Sequence, residues 1–225
     1  MLSSLTACTK SSKDSSKSGA SKAESSSEAQ TLKYADYIDP SQSDGKDIMT
    51  LIGHASVKIK TKQGTVIYID PYFDGDYSEV ADAVLITHED SDHNALSKVK
   101  VKENGQIIHS KDVLKDGVYS TLEIAGVKIE AVPAYNNNHN KNNCVGYILE
   151  FNGIKLYHAG DTSKTDEMNS FADRNLTYAL LPIDGVYNMG PEEATEVANL
   201  IKAKHTIPMH TNMAQYPYNL EVVEK

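Results

Sequence analysis

The chain has 225 residues, 40% of them hydrophobic, with a formal net charge of −9, two cysteines and no tryptophan. That length suits one domain with a tail, and the acidic balance excludes the basic surface that nucleic-acid binding relies on. Cysteines at 8 and 144 only exclude a disulfide framework, and no apolar run approaches the ~18 residues of a membrane-spanning helix.

The N-terminal "LTAC" at Leu5–Cys8 has the shape of the end of a bacterial lipoprotein signal, and nine of the 22 residues from Thr9 to Gln30 are serine. Such a composition predicts a solvated tether over residues 1–33, with Cys8 lipidated, the protein extracytoplasmic and membrane-anchored, and a single domain over 34–225. Only seven residues precede Cys8, without a basic residue, which departs from a complete signal: either the start lies further upstream, the reading favoured by the linker composition, or the tetrapeptide is accidental.

Within the domain, Ile48–Ile52, Ser56–Lys60 and Val66–Ile69 read as early strands, with "KTKQGT" turning the second into the third. Ala83–Thr87 is a fourth strand, and Asn94–Lys100 reads as a short helix capped at its start. Further strands are predicted at Gln106–His109, Val127–Val132, Val145–Phe151 and Ile154–His158, the last two joined as a hairpin by Asn152-Gly153. Tyr178–Leu181 and Thr206–Met209 are late strands, separated by a helix over Pro191–Ala203 that opens on proline and two glutamates.

Four of these strands run into polar loops. "HEDSDH" packs two histidines and three acids into His88–His93; "VPAYNNNHN" contains His139; "YHAGDT" carries Asp161; "IPMH" ends in His210. Like charges crowded behind a buried strand require a counter-ion, and a divalent transition metal needs three or four N or O donors drawn from separate strands. Gly160 lets the backbone turn ahead of Asp161.

Taken with "GHAS" at 53–56 and "IDPY" at 69–72, these motifs in this order resemble the metallo-β-lactamase superfamily, in particular its hydrolases similar to L-ascorbate-6-phosphate lactonases. The resemblance implies an α/β fold, an αββα sandwich of two mixed sheets with outer helices and a metal site along one edge. It implies one or two divalent ions, zinc foremost. His88, Asp92 and His93 fall on ligand positions of the family's His-x-His-x-Asp-His motif, Asp161 on the carboxylate shared by two ions, and His210 on the last ligand. Asp92 would also orient the attacking water or accept its proton. Two positions depart: Asp90 stands where a second histidine is usual, and Asn136 where many members have an isolated one, with His139 three residues later. A carboxylate at 90 shifts the site towards harder ions, so manganese or iron comes into play.

His54 and His158 recur near the site in this branch, yet a histidine beside a strand also serves as a hydrogen-bonded structural residue, so both roles stay open. His109 and His205 read as ordinary residues, and Cys144 as a packed thiol rather than a ligand. The implied function is hydrolysis of a small ester, lactone or phosphodiester. The rival is a non-catalytic, ligand-binding surface lipoprotein whose metal site has eroded at 90 and 136.

Overall fold

The computed structural model describes residues 45–211. Residues 1–33, with Cys8 and the expected tether, lie outside the described residues. The first sheet contains β1 (Ile48–Gly53), β2 (Ser56–Lys60), β3 (Val66–Ile69), β4 (Ala81–Leu85) and β5 (Val101–Ile108), neighbours in that order. A short helix α1 (Ser110–Val113) and a ribbon of β6 (Leu114–Lys115) with β7 (Val118–Tyr119) lead to the second sheet. There β8 (Thr121–Ile124), β9 (Val127–Pro133), β10 (Val145–Phe151), β11 (Ile154–His158), β12 (Tyr178–Pro182) and β13 (His205–Met209) also lie in chain order.

Period-2 alternation sorts the side chains. Val57, Ile59, Ile67, Ile69, Ala83 and Leu85 join Ile129, Tyr147, Leu149 and Leu156 in the main core, whereas Val66, Tyr68, Val84 and Ile86 form a separate cluster on the other face of the first sheet. That second face is covered by Tyr77, Leu96 and Val101. Buried Lys58 helps to hold the covering loop, its Nζ 3.0 Å from Asp76 and 3.4 Å from Glu79. Among the described residues the longer helical segments accompany the second sheet: Met168 and Phe171 of a 3-10 helix (Asp166–Arg174), and Ala194, Val197 and Ile201 of α2 (Pro191–Ile201), enter the main core.

Strand direction explains where the functional loops gather. Strands β1, β3 and β4 run the same way, because β2 is antiparallel to both β1 and β3 while β3 and β4 are parallel. By the same reasoning β9, β11, β12 and β13 share one direction. The C-terminal ends of these strands are the natural edge for a site, since loops there vary without disturbing the core. His54, Asp70, His88, Asn136, Asp161, Asp184 and His210 each follow one of those ends.

Several elements differ from expectation. The helix expected over Asn94–Lys100 is only a 3-10 turn at Leu96–Lys98. Asn94 does not cap it; its amide donates to Glu89 Oε2 at 2.7 Å. The strand expected at Gln106–His109 begins earlier, at Val101, and the short strands β6, β7 and β8 were not anticipated. The Asn152-Gly153 turn is as expected, with φ of 48° and 81°, the pair that a two-residue hairpin demands.

Candidate metal centre

Three site residues adopt left-handed backbone conformations that non-glycine residues seldom take: His54 (φ 53°), Asp70 (φ 46°) and His210 (φ 56°). Each ends a strand and turns its side chain sharply away from the ladder. The turns are held by cross-links between loops: His210 N–H donates to the His54 carbonyl at 2.8 Å, and Thr87 N–H to Asp70 Oδ1 at 2.8 Å.

Two groups of donors face one another. His54, Asp92, His93 and His210 offer ligand atoms within 4.8 Å of each other, and so do His88, His139 and Asp161. Asp161 stands between them: Oδ1 is 3.4 Å from His93 Nε2, while Oδ2 is 3.2 Å from His210 Nε2 and 3.7 Å from His139 Nε2. Asp90 Oδ2 completes the second group, 3.6 Å from His88 Nε2 and 3.5 Å from His139 Nε2. Donors sharing a tetrahedral ion at ~2.05 Å sit ~3.4 Å apart, so these spacings suit the edges of coordination polyhedra better than hydrogen bonds.

Buried polar atoms point to the same conclusion. His88 Nε2, His93 Nε2 and Asp161 Oδ1 are buried and have no hydrogen-bond partner among the described residues. Orphaned imidazole nitrogens and a carboxylate oxygen converging on one dry space are the donor set a divalent cation takes. The residues fit one ion in each group, with Asp161 shared.

The surrounding shell orients these ligands. Asp70 is fully buried; Oδ2 faces His93 Nδ1 at 2.8 Å and accepts the Thr87 hydroxyl at 2.6 Å. Thr87 Oγ1 in turn lies 3.0 Å from His88 Nδ1. Asp184 Oδ2 is 3.1 Å from His210 Nδ1. A carboxylate behind an imidazole fixes the tautomer that presents Nε2 to a metal. Neither Asp70 nor Asp184 was singled out from sequence; the only signal was an acid directly after a strand, in "IDPY" and "PIDG".

Other expectations resolve case by case. His54 joins a donor group, with Nε2 3.1 Å from Asp92 Oδ2. His158 takes the structural role: it is fully buried, Nε2 is 2.9 Å from the Ala55 carbonyl, and Nδ1 accepts the Gly160 N–H. Asn136 belongs to neither group and acts on His139, whose backbone N–H it accepts at 2.8 Å. His109 pairs with Glu89, and His205 stacks on Tyr178. Cys144 is buried and donates to the Asp161 carbonyl, so it is no ligand.

Without a cation His210 carries compensating charge. Burial disfavours protonated His210, but Asp161 and Asp184 outweigh it and raise its pKa to about 10. His93 is likewise raised, Asp161 and Asp70 prevailing over burial. His88 goes the other way, lowered to about 4 by burial and then by His93, which leaves its Nε2 a free lone pair. Burial works against ionised Asp92, yet the His54 bond and His93 hold its carboxyl well below the usual range.

A two-sheet sandwich with paired histidine and aspartate donor groups along one edge defines a metal-binding hydrolase fold. The chain belongs to the metallo-β-lactamase superfamily: residues 49–210 match the family described as the beta-lactamase superfamily domain. Among curated relatives, a UPF0173 metal-dependent hydrolase of Thermococcus onnurineus is 33% identical over 187 residues, spanning 72% of this chain and 83% of the relative. One from Enterococcus faecalis is 30% identical over 193 residues, spanning 71% and 84%. Among solved structures, a candidate metal-dependent hydrolase of Parabacteroides distasonis superposes with a TM-score of 0.65 at 30% identity, covering 79% of this chain and 86% of that one. A candidate zinc-dependent hydrolase of the same superfamily from Thermotoga maritima gives 0.59 at 30% identity, covering 76% and 79%.

Proposed function

We propose that this domain hydrolyses a small ester, lactone or phosphodiester at a two-ion centre. Its ligands are His88, Asp90, His139 and Asp161 in one group, and Asp92, His93, His210 and shared Asp161 in the other, with His54 beside Asp92. The observation that carries the reading is the convergence of buried, unpartnered His88 Nε2, His93 Nε2 and Asp161 Oδ1 on one space. Membership of a superfamily whose relatives are named metal-dependent hydrolases supports it. Zinc suits the imidazole-rich donor set, and the Asp90 carboxylate keeps manganese or iron as alternatives.

A divalent ion, when bound, supplies Lewis acidity and an activated water near neutral pH. The protein supplies the rest. Asp92, its side chain 29% exposed where the histidines around it are buried, is the donor of its group that meets solvent. Its strongly lowered pKa makes it a weak proton acceptor, so it orients the water rather than storing the proton. Val186 and Tyr187 are exposed next to Asn188, which touches Asp161, and form an apolar lip for the neutral part of a substrate.

The test is metal analysis of chelator-free protein, then turnover of aryl esters, lactones and bis-aryl phosphodiesters. Chelation should abolish turnover and zinc or manganese restore it; an apo protein inert with either metal would refute the reading. The same proposal has Cys8 lipidated and the enzyme facing outward on a bacterial membrane, supported by "LTAC" and the serine-rich stretch behind it. Labelled palmitate entering the wild type but not Cys8→Ala, in full-length protein expressed in a bacterium, tests it.

A further inference from the structure

Asn188, Asn136 and Asp184 join the two donor groups through a set of side-chain hydrogen bonds that ends in the ion pair between Asp184 and His210. Asn188 Nδ2 donates to Asp161 Oδ2 at 3.0 Å and to Asp184 Oδ2 at 2.9 Å, which uses both of its protons. Its Oδ1 accepts from Asn136 Nδ2 at 2.8 Å, and the second Asn136 proton goes to the Tyr187 carbonyl at 3.0 Å. Asn136 Oδ1 accepts the Asn138 and His139 backbone N–H groups, each at 2.8 Å, and faces His139 Nδ1 at 3.0 Å. At the other end Asp184 Oδ2 faces His210 Nδ1 at 3.1 Å, while Oδ1 accepts the backbone N–H of Val186 and Tyr187.

The polarity of this set is fixed. Rotating the Asn136 amide would set its NH2 against two backbone N–H donors and its oxygen against the Tyr187 carbonyl. Rotating Asn188 would set its oxygen against two carboxylates. Only one arrangement of the two amides satisfies both asparagines, and in it each terminal imidazole turns Nδ1 to an oxygen, Asn136 Oδ1 or Asp184 Oδ2, and Nε2 towards Asp161.

We infer that Asn136, Asn188 and Asp184 are positioning residues that form one relay, setting the ligating tautomers of His139 and His210 and coupling the two ions through Asp161. The relay also accounts for the departure at 136. The Asn136 side-chain oxygen is taken up by the Asn138 and His139 backbone N–H groups, and it builds the turn that delivers His139 three residues later. The inference rests on the metal-centre reading above.

The test is metal binding, read apart from turnover. Co²⁺ and Zn²⁺ are titrated into metal-free wild type, Asn188→Leu, Asn136→Ala and Asn138→Ala, following the Co²⁺ d–d bands and competing with a chelating dye, with thermal melts confirming folding. Removing the partners behind metal-binding histidines costs roughly 10–100-fold in affinity, so Asn188→Leu should weaken both ions by that range and alter the visible spectrum. Asn136→Ala should lose the ion held by His88 and His139 and keep the other. Asn138→Ala, whose side-chain amide reaches the Tyr187 carbonyl alone, should bind as the wild type does. Should Asn188→Leu not fold, Asn188→Ser replaces it with the same expected loss. Folded position-188 and position-136 variants that take up two ions with wild-type affinity and spectrum would overturn the relay. A wild type that binds no ion at all would instead sink the metal-centre reading.

Discussion

Replacing Asp70 with asparagine probes the support of the metal centre without substituting a proposed ligand. In the wild type its carboxylate accepts from Thr87 N–H at 2.8 Å and the Thr87 hydroxyl at 2.6 Å, and faces His93 Nδ1 at 2.8 Å. Asp70→Asn keeps the shape but exchanges one acceptor oxygen for an NH2. The Thr87 hydroxyl can rotate to accept from it; a His93 whose Nε2 binds metal must keep its proton on Nδ1 and is left facing a donor. An unmade hydrogen bond on a buried group costs about 1–3 kcal/mol, and losing charge assistance on the others adds about 1 kcal/mol, so about 3 kcal/mol is expected overall. Urea unfolding of zinc-loaded protein should show at least that loss. Dye competition should show zinc affinity falling roughly 10–100-fold, equivalent to about 1.4–2.8 kcal/mol. A variant within about 0.5 kcal/mol in stability and threefold in affinity would refute the idea that Asp70 orients His93.

Further outcomes follow from the same geometry. Metal binding should release protons at pH 7.5, because His210 (pKa about 10) is protonated without metal; calorimetry in buffers of different ionisation enthalpy measures the number, and an enthalpy independent of buffer would contradict it. The raised pKa of His210 stabilises the metal-free fold below about pH 6.5, and this is lost as pH climbs towards about 10, whereas metal-loaded protein should show no such decline in melts between those values. Gly160→Ala should destabilise by about 2–4 kcal/mol: φ is 63°, and a Cβ would lie 2.7 Å from the Val145 carbonyl oxygen. Denaturant titration would contradict this with a change under about 0.5 kcal/mol. Asp92→Ala should cut turnover roughly 10²–10⁴-fold with the fold retained, checked by kinetics beside circular dichroism; full activity in metal-analysed protein would remove Asp92 from its role.

Much of the centre was legible because its residues violate ordinary patterning. A run such as His88–His93 behind the buried Ala83–Ile86 has no structural use for so many charges, and Asp161 and His210 close strands in the same manner. Asp70 and Asp184 escaped notice because a lone acid after a strand looks the same whether it caps a turn or orients a ligand. Asp184 does both here, accepting loop N–H groups through Oδ1 and facing His210 through Oδ2. His54 was ambiguous for a related reason: only its left-handed backbone, invisible in sequence, turns it towards Asp92.

In the fold, elements with strong local signals stood out: the Asn152-Gly153 hairpin, and α2 with proline at its start and two glutamates in its first turn. Those set by tertiary packing did not. The stretch around Leu96 carries helix-compatible residues, yet Ala95 N–H donates to the Pro71 carbonyl and Asn94 is drawn to Glu89, so one 3-10 turn is all that forms. Strand β8 is four residues long, and its turn into β9 is Ala125-Gly126, whose φ of 48° and 81° an alanine does not advertise. The Asp116-Gly117 turn between β6 and β7 did carry a readable hairpin signal.

Crystals grown with zinc and measured at the zinc absorption edge would locate the ions directly. Two anomalous peaks are expected, one among Asp92, His93, His210 and Asp161, the other among His88, Asp90, His139 and the same Asp161. Zinc-soaked crystals with no peak between the carboxylate of Asp161 and the imidazoles of His93 and His210 would contradict that arrangement.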